Sequence, residues 1–178
     1  MNNPHFEILR PGINTTIQDN GRNHMYHEGI SVSGAIDQRM YKLSNKLVNN
    51  NLNEAVLEFA YQGPLLKLKN TKINFCITGE VIFNITRKNL EVEMGKCYKN
   101  YILEEEEQLD IISTKKTAYG YLSVNGGFQI KKFWNSCSIN TKANIGPNNG
   151  KKYSIEDKIY IRGSNLKKDN EIKLAYSE

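Results

Sequence analysis

The apolar positions change period once along the chain. Between Asp37 and Val48 the side chains Met40, Leu43, Leu47 and Val48 recur at three- and four-residue spacing. That is one helical stripe, and it predicts one main helix over residues 37–48. Ser33 or Asp37 is available to cap its start, and Asn49-Asn50-Asn51 is a natural stop. From Ala55 onward the period is two. Residues 55–61, 65–68, 73–78 and 81–85 are short β-rich runs, divided by Gly63-Pro64, Asn70 and Gly79. Residues 97–103, 109–113, 118–124, 158–161 and 172–176 continue the pattern, and 6–9 and 15–18 precede the helix. Close-set strands with turn residues between them predict a mainly β barrel or sandwich. Residues 142–152, with Gly146-Pro147 and Asn148-Asn149-Gly150, read as a loop, and Glu104 to Glu107 as a solvated hairpin tip.

The segment from Thr15 to Asp37 fits neither period. A β-branched run leads into Gln18-Asp19, a Gly21-Arg22 turn, then His24, Tyr26, His27 and Glu28, and it closes on Gly29 and Ser33-Gly34-Ala35-Ile36-Asp37. Long polar loops held on a rigid scaffold are common binding surfaces, and this one is also a plain strand-to-helix connection.

Composition narrows the class. The chain has 178 residues, 39% hydrophobic and 24% charged, which suits one soluble globular domain, or one and a fraction, able to bury its own core. The net charge of +5 comes from lysines scattered among Asn and Ile, with no basic block or aromatic-basic RNA motif. Nucleic acid is therefore not indicated. No segment has the pattern of a signal peptide or the length of a membrane span, so the expected location is the cytoplasm. Cys76, Cys97 and Cys137 are widely separated, which indicates neither a zinc site nor a disulfide framework.

Several residues carry possible chemistry. Gln18, Asp19 and Arg22 suit a polar substrate, or else Asp19 caps the turn and Arg22 pairs with it structurally. His24 and His27 flank Tyr26 beside Glu28, which suits a general base or a metal ligand, though no third ligand sits at metal spacing. Ser33-Gly34 ahead of a helix suits an anion, or a simple N-cap. Ser136-Cys137-Ser138 looks like a nucleophile cluster but has no nameable base, and a buried or turn cysteine accounts for it better. No metal set and no catalytic residue is assigned.

Taken in order, several pieces resemble a known family. They are Thr15-Thr16-Ile17-Gln18-Asp19, Gly21-Arg22, Gly29-Ile30-Ser31 and Ser33-Gly34-Ala35-Ile36-Asp37. Asn45-Lys46-Leu47-Val48-Asn49-Asn50, Leu57-Glu58-Phe59, Gly63-Pro64 and Thr78-Gly79 follow, then Tyr121-Leu122-Ser123-Val124-Asn125-Gly126-Gly127, Ser136-Cys137-Ser138 and Ile145-Gly146. The set resembles the biotin-dependent carboxyltransferase domain family. That family includes the C subunit of bacterial ATP-dependent 5-oxoprolinase, the carboxyltransferase domain of urea carboxylase, and the antagonist of a sporulation-kinase inhibitor. Family members are usually nearly twice as long, with two related halves, and this chain resembles the first half. Residues 1–165 correspond to that half, and 166–178 to a charged tail or last strand. Tyr119 stands where the family usually has Arg, Ser31-Val32 where it has a proline pair, and Glu105-Glu106 where it has a glycine turn.

The resemblance implies a cyclophilin-like β-barrel with one main helix. It implies a component of an ATP-dependent 5-oxoprolinase-type complex acting on a small cyclic amide such as 5-oxoproline. The alternatives are a carboxyltransferase using carboxybiotin with urea, a non-catalytic regulatory module, or a truncated remnant. ATP would sit on or be shared with a partner, since no P-loop is present, and biotin would be carried by another chain. The implied partners are the other 5-oxoprolinase-type subunits or the missing C-terminal half, with a small-molecule substrate. Gln18, Asp19, Arg22, His27, Ser33, Gly34 and Asp37 are the implied substrate-side residues. In that reading the Ser33-Gly34 turn holds an anionic group and Asp37 braces the loop.

Overall fold

Alternating side chains build two antiparallel sheets that share one core. The computed structural model describes residues 3–23 and 25–162; His24, the expected strand at 172–176 and the tail 166–178 lie outside the described residues. In chain order the strands are β1 (His5–Arg10), β2 (Asn14–Gln18), β3 (Val56–Ala60), β4 (Leu65–Lys69), β5 (Ile73–Thr78) and β6 (Val81–Thr86). They continue with β7 (Val92–Met94), β8 (Asn100–Leu103), β9 (Gln108–Thr114), β10 (Tyr119–Val124) and β11 (Lys158–Tyr160). The helix α1 (Gln38–Leu47) lies between β2 and β3. One sheet runs β11-β1-β4-β9-β6-β7 and the other β2-β3-β10-β5-β8. The mainly β architecture with one main helix is as the periodicity predicts.

Leu66 and Leu68 of β4 point inward while Leu65, Lys67 and Lys69 stay half-exposed, and β6 alternates in the same way. The inward faces meet in one cluster that includes Phe6, Ile8, Phe83 and Ile85 from one sheet and Ile17, Leu57, Phe59, Phe75 and Leu122 from the other. Strand β3 is buried at every position because its second face is covered too. There Val56 and Tyr121 pack against Tyr41 and Ala35, and Cys76 packs against Leu47 and Val48. A polar seam seats the helix on this face. Ser44 Oγ lies 2.7 Å from Ser123 Oγ, Asn45 Nδ2 donates to the Glu54 carbonyl at 2.7 Å, and Asn100 Nδ2 donates to the Leu47 carbonyl at 2.8 Å. Satisfied buried contacts of this kind fix one seating where apolar packing alone would allow several.

Asp37 is the residue that caps α1, its Oδ1 accepting from the Arg39 and Met40 N–H groups at 3.0 Å each. Strand β8 begins at Asn100 rather than 97, since Tyr98 adopts a left-handed φ of 64° that breaks the extended run. Strand β7 is an addition. Val92 and Met94 are exposed at the sheet edge, so no buried face marks it in the sequence. The tip after β8 is not wholly solvated: Glu107 is buried, and its Oε2 accepts from Arg87 Nη1 at 3.0 Å and from the Glu104 N–H at 2.9 Å.

Strand β2 is an edge of its sheet, and the chain beyond β10 returns to cover it. The Ile139 N–H donates to the Ile17 carbonyl and the Tyr153 N–H to the Thr15 carbonyl, each at 3.0 Å. This return brings the residues around 138 onto the start of the long loop. Among the described residues, no helix is long and apolar enough to cross a membrane.

Candidate functional site

Asp19 follows the last residue of β2, and its carboxylate is the knot of the region. Oδ1 accepts from the Gly21 N–H at 2.8 Å, Ser136 Oγ at 2.7 Å and Ser138 Oγ at 2.6 Å, and Oδ2 accepts from the Cys137 N–H at 2.6 Å. Its own N–H donates to Ser138 Oγ at 3.0 Å, and its carbonyl accepts from the Ala35 N–H at 2.9 Å. One buried residue thus ties together the start of the loop, its end, and the returning segment 136–138. Charge-assisted bonds are the stronger kind, and here they are shielded from water.

Gln18 and Arg22 converge on the same returning strand. Gln18 Nε2 donates to Thr16 Oγ1 at 3.0 Å and to the Ile139 carbonyl at 2.9 Å. The Arg22 N–H closes the loop on the Val32 carbonyl at 2.7 Å, and Nη2 donates to the Ser138 carbonyl. The guanidinium is 1% exposed and makes no direct ion pair with Asp19, so the expected turn-bracing pair is replaced by a buried cation. Arg22 Nε and Nη1 and Gln18 Oε1 have no hydrogen-bond partner among the described residues. Burial pulls the Arg22 pKa below its ordinary value, opposed by the nearby charge of Asp19. A buried donor left unpaired is costly, and such groups concentrate at sites that meet a ligand or a partner.

Gly21 and Gly34 hold the two ends of the loop together. Both have left-handed φ, 85° and 92°, and a Cβ on Gly34 would stand 3.0 Å from the Gly21 nitrogen. Ser33 is half-buried, its hydroxyl 3.4 Å from Ser31 Oγ. At the helix start the Arg39 and Met40 N–H groups are already taken by the Asp37 carboxylate. His27 sits on an exposed 3-10 turn, Tyr26–Glu28, with a 71% exposed side chain whose Nε2 lies 3.4 Å from Glu28 Oε1. The structure therefore brings Gln18, Asp19, Arg22 and Gly34 together, places Asp37 at the helix cap, and leaves His27 on the outer arch.

Glu58 is a site residue that the sequence pattern did not single out. It is buried in β3 opposite Tyr121 of β10, and its Oε2 accepts from the Ile36 N–H at 2.8 Å. The Tyr121 hydroxyl accepts from the Asp37 N–H at 2.7 Å and bonds to Glu58. The pair thus braces the loop's closing unit from below. A lone carboxylate inside the apolar run 55–61 was the available signal. Burial raises the Glu58 pKa above the ordinary carboxyl value, and the bonds from Ile36 and Tyr121 only partly offset it. A raised folded value means stability that is complete below the unfolded pKa and lost as pH rises through the folded one. Glu58→Gln is therefore expected to melt at or above the wild type at neutral pH, the gap closing as pH falls toward the ordinary carboxyl range. Thermal melts across that series check it; a gap that widens toward acid contradicts it.

The Asp19 knot borders a cleft of about 520 Å³, lined also by Glu54, Gln129, Lys132, Cys137 and Arg162. Arg162 pairs with Glu54. Burial pushes the Cys137 thiol up to about 11, with the Asp19 charge adding to it, and both flanking serines spend their protons on Asp19. The Ser136-Cys137-Ser138 cluster is thus a holder and not a nucleophile. Tyr41 reaches this region from α1, its hydroxyl without a partner among the described residues and its pKa raised by burial and then by the charges of Asp19 and Glu54. The Asp19 carboxylate and the two serine hydroxyls are thus committed to holding the loop.

A profile of the carboxyltransferase domain, subdomain A and B, matches residues 28–177. The chain belongs to the carboxyltransferase domain family. The domain is 30% identical over 160 residues to the 5-oxoprolinase C subunit of Haemophilus influenzae, covering 90% of this chain and 50% of that protein. It is 28% identical over 157 residues to the 5-oxoprolinase C subunit of Escherichia coli, covering 87% of this chain and 48% of that one. The solved structure of K. lactis urea amidolyase superimposes with a TM-score of 0.83 at 26% identity, over 90% of this chain and 10% of that one. The carboxyltransferase domain described here thus spans about half the length of the 5-oxoprolinase subunits it matches. Those relatives are named as subunits, and urea amidolyase is a far longer chain of which the domain matches a small part.

Proposed function

We infer that this chain is the C-type subunit of an ATP-dependent 5-oxoprolinase-like complex, acting on a small cyclic amide such as 5-oxoproline. The observation that carries the reading is the 30% identity to a 5-oxoprolinase C subunit across 90% of the chain. The site is compatible with it. Gln18 and Asp19 hold the loop rigid, and Arg22 keeps its charge with Nε and Nη1 unspent, donors suited to a carboxylate or a carboxyphosphate-like group. In this reading the chemistry draws on residues from elsewhere. The part of the domain that these 178 residues do not span, together with the other subunits, would supply them and the ATP site.

The likeness to urea amidolyase favours a second reading, carboxyl transfer from carboxybiotin on another chain to urea. Reconstitution separates the two. The chain is co-assembled with the remaining 5-oxoprolinase-type subunits, and glutamate formation from 5-oxoproline and ATP is followed. Turnover that requires this chain supports the first reading. Turnover only with urea and a biotinylated carrier supports the second, and assembly without either activity leaves a regulatory module.

A further inference from the structure

A second surface lies at the far end of β2 from Asp19, where the loops after β1 and β3 meet the β9–β10 turn. It is a groove of about 680 Å³ whose lining includes Ile13, Tyr61, Ile112, Thr114, Lys115 and Lys116. The three apolar side chains come from different elements and are 53%, 63% and 38% exposed. Tyr61 has a φ of 57°, in the left-handed region that a bulky side chain avoids. Its backbone is locked there: the Tyr61 N–H donates to the Ala118 carbonyl at 3.0 Å, and the Tyr61 carbonyl accepts from the Thr114 N–H at 2.6 Å. The fold thus bears strain to hold an aromatic ring out in water, and strain of this kind gathers at functional surfaces.

The charge of the groove says what it takes. Lys115 and Lys116 are adjacent, no carboxylate is in the lining, and neither lysine forms an ion pair among the described residues. The Lys115 N–H donates to the Glu80 carbonyl at 2.7 Å. Ser113, Thr114 and Thr117 also line the groove. We propose that this groove docks an extended acidic segment of a partner protein, its carboxylates on Lys115 and Lys116 and an apolar side chain on Tyr61 between Ile13 and Ile112. Opposite charge would steer the segment in, and the buried apolar anchor would hold it.

Amide NMR shifts of the full chain test this, with an acetylated peptide of alternating glutamate and leucine as the probe. Saturable shifts centred on Ile13, Tyr61, Ile112 and residues 113–117 are expected. Lys115→Glu combined with Lys116→Glu should abolish them. Tyr61→Gly should weaken binding about tenfold while leaving the melting temperature unchanged or higher, since glycine relieves the left-handed strain. Equal binding of a lysine–leucine peptide, the same shifts with inorganic phosphate alone, or a sharp fall in melting temperature for Tyr61→Gly would each overturn the proposal.

Discussion

Asp19→Asn should cost the protein roughly 2–4 kcal/mol, a fall of about 5–15 °C in melting temperature for a domain of this size. Four donors converge on this carboxylate, three on Oδ1 and one on Oδ2. An asparagine keeps one acceptor oxygen. Its amide then faces at least one N–H or O–H head-on, and in a buried place no water relieves the clash. The substitution also removes the negative charge nearest to the buried Arg22. The damage should be focused: segments 19–22, 34–36 and 136–139 should lose hydrogen-exchange protection while α1 and the two sheets keep theirs. Thermal melts and exchange mass spectrometry check both parts. A melting temperature within a degree or so of the wild type would mean that the knot is not what holds the loop.

Arg22→Met should do the opposite: a small change in stability and a large loss of activity. The guanidinium is as buried as any core side chain, yet only Nη2 has a partner. Replacing it by an apolar side chain of similar length removes two uncompensated donors and loses one bond to the Ser138 carbonyl. Those effects nearly cancel, so the net change should lie within about 1–2 kcal/mol in either direction. In the assembled complex the same change should lower kcat/KM for 5-oxoproline by about 100-fold or more if Arg22 positions the substrate. A steep loss of stability with full turnover in the surviving fraction would make Arg22 a packing residue only.

The fold was legible because most strands bury one face. The alternation in Leu65 to Lys69 and the helical stripe from Met40 to Val48 each record a buried side directly. Strand β7 has no such side, since Val92 and Met94 face water, and so it left no trace. The site was legible as a set of residues and not as an arrangement. Gln18, Asp19 and Arg22 stood out as polar residues at a turn, but their burial depends on residues 136–139, more than a hundred positions away, crossing over them. No local pattern announces that crossing. The same contact turned Ser136 and Ser138 from apparent nucleophiles into donors for Asp19. Glu58 was readable in principle, because a single carboxylate in the run Val56 to Ala60 has no apolar reason to be there. What it meets, Ile36 and Tyr121, was not readable, since the loop's return over β3 is a tertiary event.

The proposed substrate role of this loop rests on the unspent N–H groups of Arg22, and those protons are observable. Arginine side-chain Nε–H resonances, recorded on the assembled complex with only this chain isotope-labelled, report on Arg22 directly. Addition of 5-oxoproline should shift the Arg22 Nε–H signal downfield and slow its exchange, with the effect saturating at the concentration that saturates turnover. A signal that stays in place and exchanges at the same rate while the complex is saturated and turning over would contradict a substrate-holding role for this loop.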